Sequence, residues 1–221
     1  VTPEKISRLM VGRDVVLQVQ KDAAKPTEEI LRVRDLHYVN DWGKKMLNGV
    51  SLSVRKGEIL GIAGVEGNGQ KELVDMLFGL NKPNEGTITM KGDNILGLNQ
   101  RQLREKHISL VPEDRMLFGI AANASIEENI ISDRADSKKM NNGLMFNMKN
   151  MHEETDALIK EYKVLCKSRD QKVGMLSGGN IQKVVVAREF SNQPDLIIAD
   201  QPTRGIDVGA KYEIYDLIIK M

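Results

Sequence analysis

The chain has 221 residues, enough for one large domain with a substantial buried core. Its 32 Lys and Arg offset 31 Asp and Glu to a formal charge of +1, which excludes a large overall electrostatic bias toward nucleic acid or anionic membrane and leaves only local patches. Cys166 is the only cysteine; it rules out an internal disulfide and any multi-cysteine metal site, fits a reducing compartment, and reads as a packed thiol before a nucleophile.

No apolar run approaches the ~18–20 residues that span a bilayer, and no apolar segment of signal-peptide type opens the chain, so a soluble chain is expected. Residues 1–29 are polar and mixed, and Lys25-Pro26 reads as an extended linker into a domain. Strand patterns begin at Ile30 with ILRV, continue in VSLSV with Val50, Leu52 and Val54 on one face, and reach the apolar run EILGIAG, residues 58–64, expected as a buried strand. That run leads into the loop GVEGNGQKEL, and a helix is expected over 70–78, closing on Gly79. NKPNEGTITMKG is turn chemistry around a short strand, and HISLVPE, residues 107–113, supplies another buried strand.

Between residues 115 and 176 the character turns helical and polar. Ser125-Ile126-Glu127-Glu128 spells a capping box and residues 149–162 a helix, which predicts a strand-free subdomain. Ser177 then opens a helix containing Val184, Val185 and Ala187, and DLIIAD is a short apolar strand ending in Asp200. A last helical pattern carries Ile214, Leu217 and Ile218 up to Met221, and with Val1 in place of a starting methionine the chain reads as a piece of something longer. Strand, glycine loop and helix, followed by an apolar strand ending in an acid, is what a parallel-sheet nucleotide-binding domain requires.

A glycine-rich loop between strand and helix points backbone N–H groups at a phosphate, and the helix N-terminus adds partial positive charge. Gly64, Gly67, Asn68 and Gly69 keep that backbone machinery. The side chains depart from the pattern Gly-x4-Gly-Lys-Ser/Thr, with Gln70 in the lysine position and Lys71 in the hydroxyl position. Losing one charge-assisted contact costs about 1.5–3 kcal/mol, so weakened nucleotide binding is expected. Taken alone, the loop also fits a plain βα turn.

The second constellation is more specific. LSGGNIQKVVVARE, residues 176–189, and PDLIIADQPTRGIDVGAK, residues 194–211, resemble the signature motif, Walker B strand and D-loop of ATP-binding cassette (ABC) proteins. Asn180, the VPEDR stretch at 111–115, the altered loop and PTRGIDVGAK together look like the second, C-terminal cassette of the fused subunits that energise bacterial simple-sugar importers. GVEGNGQ and the glutamine after the Walker B aspartate look most like the branch associated with nucleosides. The resemblance implies an α/β fold, a P-loop NTPase of ABC type with a mostly parallel core sheet, an antiparallel β subdomain and a helical subdomain at about 115–176. It makes 30–221 a C-terminally truncated cassette, calls for further strand and helix after the last helix, and makes 1–29 the connection from a preceding cassette.

The resemblance also implies roles. Ser177, Gly178, Gly179 and Asn180 meet a phosphate at a helix start, and Asp200 holds Mg²⁺ directly or through water. Gln201 stands where more active members of the family have a glutamate; it can hold a water and cannot take its proton, and losing a general base costs about 10²–10⁴-fold. Glu113 maps onto the Q-loop glutamine, with a solvated turn acid as the other reading. Asp207 fits the D-loop or a plain helix N-cap. Trp42, with Tyr38 in reserve, is the aromatic to stack on adenine, or else packs. His37, His107 and His152 lie upstream of any switch-histidine position and carry no assigned chemistry.

The implied cofactors are ATP and Mg²⁺. The implied partners are a first cassette, fused or a second copy, transmembrane permease subunits and, indirectly, an extracellular solute-binding protein, with no nucleic acid. The place is the cytoplasmic face of a bacterial membrane. The expected function is asymmetric: the signature completes a hydrolysing site on the first cassette, and the chain's own loop forms a degenerate, nucleotide-retaining site. The rivals are a soluble ABC-type ATPase acting on translation or DNA, and a structural module that never binds nucleotide. Whether the solute is a sugar or a nucleoside is not encoded in this chain.

Overall fold

The structure, a computed structural model, describes residues 21–143 and 145–221, so most of the linker expected over 1–29 lies outside the described residues. The chain divides into two compact units, residues 22–110 with 193–200, and residues 111–192 with 201–221.

The first unit is built on an antiparallel sheet of order β2-β1-β3-β4, comprising β1 (Glu29–Val39), β2 (Lys45–Arg55), β3 (Glu85–Met90) and β4 (Asp93–Asn94). Alternation decides which face is buried: Leu31 and Val33 on β1 point into the core while Arg32 and Arg34 face solvent. Val33 lies opposite Leu52 on one side and Ile88 on the other, which makes β1 the centre of the sheet. Its register slips between Val33 and Leu36, and Gly86 of β3 fits against that irregularity. Gly86 has φ +104, and a Cβ there would lie 2.6 Å from the Asp35 carbonyl oxygen.

Helix α1 (Gln70–Leu77) buries Leu73, Met76 and Leu77 and closes on Gly79 at φ +66, as its sequence predicts. Helix α2 (Gln100–Glu105) starts in a capping box between Asn99 and Gln102. Strand β5 (Ile108–Val111) is buried throughout and pairs with β6 (Leu196–Ala199) in a two-stranded sheet.

The strand expected over 58–64 does not form. Residues 58–65 have no regular structure, and Ile59, Leu60, Ile62 and Val65 are exposed. A strand exists only through its ladder, and among the described residues no strand lies beside this run to satisfy its N–H and C=O groups. The expected core sheet is therefore represented by β5 and β6, and the larger sheet is antiparallel.

The second unit is helical. A π-helical turn (Arg115–Gly119) precedes α3 (Ile126–Ile131) and α4 (Met148–Glu161), and a 3₁₀ turn (Val173–Met175) precedes α5 (Gly178–Ser191); α6 (Val208–Lys220) completes the unit. The capping box expected at Ser125 is present: Ser125 Oγ accepts from Glu128 N at 3.0 Å, and Ser125 N donates to Glu128 Oε2 at 2.7 Å. Helix α5 is the axis of the unit, packed against α3, α4 and α6 and buried on nearly every side. Its buried charges have partners: Lys183 Nζ reaches Glu213 at 2.6 Å and the Lys163 carbonyl at 3.0 Å, and Arg188 Nε reaches Glu189 at 2.9 Å. Among the described residues no helix is long and apolar enough to cross a membrane.

The seat of Gly86 gives a test of the β unit. Gly86→Ala combines backbone strain of about 1–3 kcal/mol with overpacking of similar size. A drop of at least about 2 kcal/mol in urea-derived stability is expected; a change within about 0.5 kcal/mol would show that β3 does not press on β1 at this point.

Candidate functional site

In the β unit, the glycine loop runs over residues 64–69 to the start of α1. Gly69 is the helix N-cap with φ +98, and a Cβ there would sit 2.4 Å from the Met46 carbonyl oxygen of β2. Glycine is what lets the loop end press against the strand. Gly67 is also left-handed, at φ +84, and Asn68 is exposed. The turn between β1 and β2 also meets the loop, with Lys44 Nζ donating to the Gly67 carbonyl at 3.4 Å. Trp42 lies in that turn and is 90% exposed, packed in no core, whereas Tyr38 is partly buried against the core of the sheet. Of the two aromatics, Trp42 is the exposed one, two residues before the Lys44 that reaches Gly67.

Gln70 folds back over the loop. Its Nε2 donates to the Val65 carbonyl at 3.2 Å, and the same atom lies 2.0 Å from where a Cβ on Gly64 would be. The side chain in the lysine position is thus an internal brace. Lys71 points along the helix, with Nζ 3.0 Å from both carboxylate oxygens of Asp75. Asp200, at the end of β6, is half-buried. Burial pushes its carboxyl above the ordinary range, the Lys71 ammonium pulls it back, and the Asp75 charge pushes it further up.

For the divalent ion that the resemblance implies, one carboxylate, Asp200, is in place. The loop hydroxyl that would share the ion is absent, and an ammonium stands in its position. No group of three or more His, Cys, Asp or Glu among the described residues is arranged around a metal. The donor set does not fit a conventional Mg²⁺ site.

In the helical unit, the segment after β5 and the segment after β6 are laced together. Gln201 Nε2 donates to Glu113 Oε1 at 2.7 Å, and the Arg204 guanidinium pairs with the same carboxylate. A carboxylate only accepts, so the Gln201 amide must turn its NH₂ to Glu113 and its carbonyl oxygen elsewhere. Gln201 holds φ +44, a left-handed conformation that a non-glycine residue keeps only when its surroundings enforce it. In return, Arg115 Nη1 donates to the Arg204 carbonyl at 2.7 Å and Nη2 to the Gly205 carbonyl at 2.9 Å.

The signature residues form the start of α5. Ser177 is the N-cap, and its Oγ accepts from Asn180 Nδ2 at 2.9 Å, while Asn180 Oδ1 accepts from Leu165 N at 2.8 Å. A Cβ on Gly178 would lie 2.8 Å from Arg115 Nη2, and one on Gly179 would lie 2.7 Å from Ala210 Cβ of α6. Asp207 caps α6, its Oδ1 accepting from Ala210 N at 2.9 Å, so the helix-cap reading of this residue describes its geometry. The structure brings Glu113 together with Gln201, and groups Ser177, Gly178, Gly179 and Asn180 at one helix end. His37 contacts Asp35 at 2.9 Å and His152 contacts Glu127 at 2.7 Å, away from these residues in the sequence.

Sequence reasoning missed Arg115, Arg204 and Lys44 as site residues. Both arginines lie inside the motif stretches VPEDR and PTRGIDVGAK, and their partners are 89 to 91 residues away along the chain, so no local pattern marks them.

A sequence profile described as ABC transporter matches residues 47–204. A glucose import ATP-binding protein of Haloferax volcanii is 37% identical over 97% of this chain and 39% of its own length. A guanosine import ATP-binding protein of Bacillus subtilis is 38% identical over 98% of this chain and 42% of its own. A galactose/methyl galactoside import ATP-binding protein of Escherichia coli is 38% identical over 100% of this chain and 43% of its own. The chain thus spans about two fifths of the length of these relatives. Among solved structures, a dimeric ATP-binding cassette in a post-hydrolysis state bound to ADP and Pi is similar in fold, with TM-score 0.72 at 23% identity over 86% of this chain and 81% of that one. An ABC transporter cassette in its ADP conformation gives TM-score 0.69 at 23% identity over 88% and 77%.

The lacing is testable through Arg115. Arg115→Ala strips two carbonyl oxygens of a charged donor and should lower stability by about 1.5–3 kcal/mol in urea unfolding. Arg115→Lys can serve only one carbonyl at a time and should fall between. Wild-type stability for the alanine variant would show that these contacts do not hold the segment.

Proposed function

The chain belongs to the ABC transporter family, and from that premise we propose that it is the nucleotide-binding domain of an importer, helping to couple ATP binding and hydrolysis to uptake of a sugar or nucleoside through a membrane permease. The observation that carries this reading is the contrast between its two motifs. The signature helix start keeps Ser177, Gly178 and Gly179 and departs only at Asn180, which stands in the place of the usual glutamine; Asn180 bonds to Ser177 and Leu165, and Gly179 packs against the Asp207-capped helix. The glycine loop keeps left-handed glycines at 67 and 69, but Gln70 is spent on the Val65 carbonyl and Gln201 cannot accept a proton.

In this reading the signature completes a hydrolysing site on a facing cassette, a fused first domain or a second copy. The chain's own loop retains nucleotide and turns it over slowly. Gly64, Gly67, Asn68 and Gly69 offer backbone donors to the phosphates, Lys71 offers charge, Trp42 stacks on the base, and Asp200 faces the reacting end, with Gln201 following it in sequence where a glutamate would act as base. The Glu113 segment would pass the state of the site to the permease. The domain then sits at the cytoplasmic face of the membrane, served indirectly by an extracellular solute-binding protein. The relatives' names, all import ATP-binding proteins, support this over a role in translation or DNA.

The asymmetry is tested in the full-length protein assembled with its permease. Ser177→Arg sets bulk against the nucleotide of the facing cassette and should nearly abolish transport and ATPase activity at matched expression. Gly178→Asp is a less clean probe, because its side chain would also push on Arg115 and through it on residues 204–205. Gln70→Ala removes one neutral hydrogen bond, worth about 0.5–1.5 kcal/mol, and should reduce rates about tenfold at most. Equal damage from both variants would contradict the division into a hydrolysing and a retaining site.

A further inference from the structure

The loop's charge has moved, not vanished. A phosphate loop of the usual pattern carries its cation at the first helical position and a hydroxyl that binds the divalent ion at the second. Here the first position is an amide occupied with the Val65 carbonyl, and the second is an ammonium. The total charge of the two positions is that of the usual loop; only its place has changed.

Helix stability does not explain Lys71. A cation in the first turn of α1 and a carboxylate, Asp75, in its last turn both oppose the helix dipole. A lysine placed four residues before an acid is also the weaker order for such a pair. Nevertheless the contact is formed, with Nζ 3.0 Å from both Asp75 oxygens, and the charges of Lys71 and Asp75 both act on Asp200 at the end of β6. The lysine thus occupies the helix position next to the loop where the usual pattern has the hydroxyl that shares a divalent ion, and its ion pair with Asp75 holds the ammonium further along the helix. The Lys71 side chain is 60% exposed, so its ammonium can meet an incoming phosphate.

We propose that the Lys71 ammonium takes the place of the divalent cation in this loop, so that the phosphates of a nucleoside di- or triphosphate bind here without Mg²⁺. The proposal rests on the reading of residues 64–71 as a nucleotide loop. With Lys71 in place, a bound divalent ion would face a like charge at the position where it needs an oxygen ligand. Asp75 holds the ammonium when no phosphate is present and gives it up to a phosphate oxygen when one arrives. The retaining site of the proposed function thereby keeps its nucleotide through a cation that cannot dissociate from the protein.

Calorimetric titration of the chain with ADP and with ATP, each in excess Mg²⁺ and in excess EDTA, tests this. For the wild type, the two dissociation constants of each nucleotide should agree within about threefold. Lys71→Ser restores the hydroxyl and should make binding Mg²⁺-dependent, tightened by at least about tenfold over EDTA. Lys71→Arg keeps a cation and should stay insensitive. Wild-type binding that tightens tenfold or more with Mg²⁺ overturns the proposal alone, as does a Lys71→Ser variant that remains insensitive or a Lys71→Arg variant that becomes dependent. No binding in either condition overturns the nucleotide reading itself and the proposal with it.

Discussion

Gly69 sits where no other residue fits. Its φ is +98, and the Met46 carbonyl oxygen lies 2.4 Å from the point where a side chain would begin. That contact seats the end of the loop on β2 and fixes the first turn of α1 in both position and direction. From there the neighbouring side chains have little choice. Gln70 falls back across Gly64 to the Val65 carbonyl, Lys71 runs along the helix to Asp75, and the turn carrying Trp42 and Lys44 closes on Gly67. The end of the loop is set by glycine and main chain, while Gln70 braces its start by bonding to the Val65 carbonyl.

The helical unit is organised by a different device. Segments 112–115 and 201–205 each send side chains to the other: Gln201 and Arg204 to the Glu113 carboxylate, Arg115 to two successive carbonyls. Arg204 is 54% exposed, so its ion pair contributes little to stability by itself. The planar fork of Arg115, matched to two carbonyl oxygens, is the stronger restraint. It also passes within 2.8 Å of the Cβ position of Gly178, and Gly179 lies against Ala210. The signature start and the segment before α6 are thereby tied into one body, and the left-handed Gln201 is kept in a conformation it would not adopt alone. Under the proposed function, such a rigid signature suits a surface presented to a ligand held mainly by another cassette.

What could be read from the sequence was local. The start of α5 at Ser177, the capping box at Ser125, the strand ending at Asp200 and the closure of α1 on Gly79 all follow from residues within a few positions of one another. Residues 58–64 show the limit of that reading, because an apolar run states what a segment would bury and not what lies beside it. Ile59, Leu60 and Ile62 are exposed for want of a neighbouring strand among the described residues. The Arg115 contacts join positions 89 and 90 residues apart, and no pattern along the chain encodes that pairing. Lys71 is an intermediate case: its i,i+4 partner Asp75 was visible in the sequence, whereas the influence of both on Asp200 required the fold. The family relationship, carried by the signature and Walker B motifs, was legible because those motifs are continuous in sequence.

The central claim is that the glycine loop holds this chain's own nucleotide while the signature serves another. Backbone amide NMR of the chain titrated with ADP tests it most directly. The account predicts concentration-dependent shifts at residues 64–71 and in the turn at 40–44, with the amides of 177–180 unmoved in the absence of a facing cassette. Shifts at 177–180 with a silent loop would contradict it.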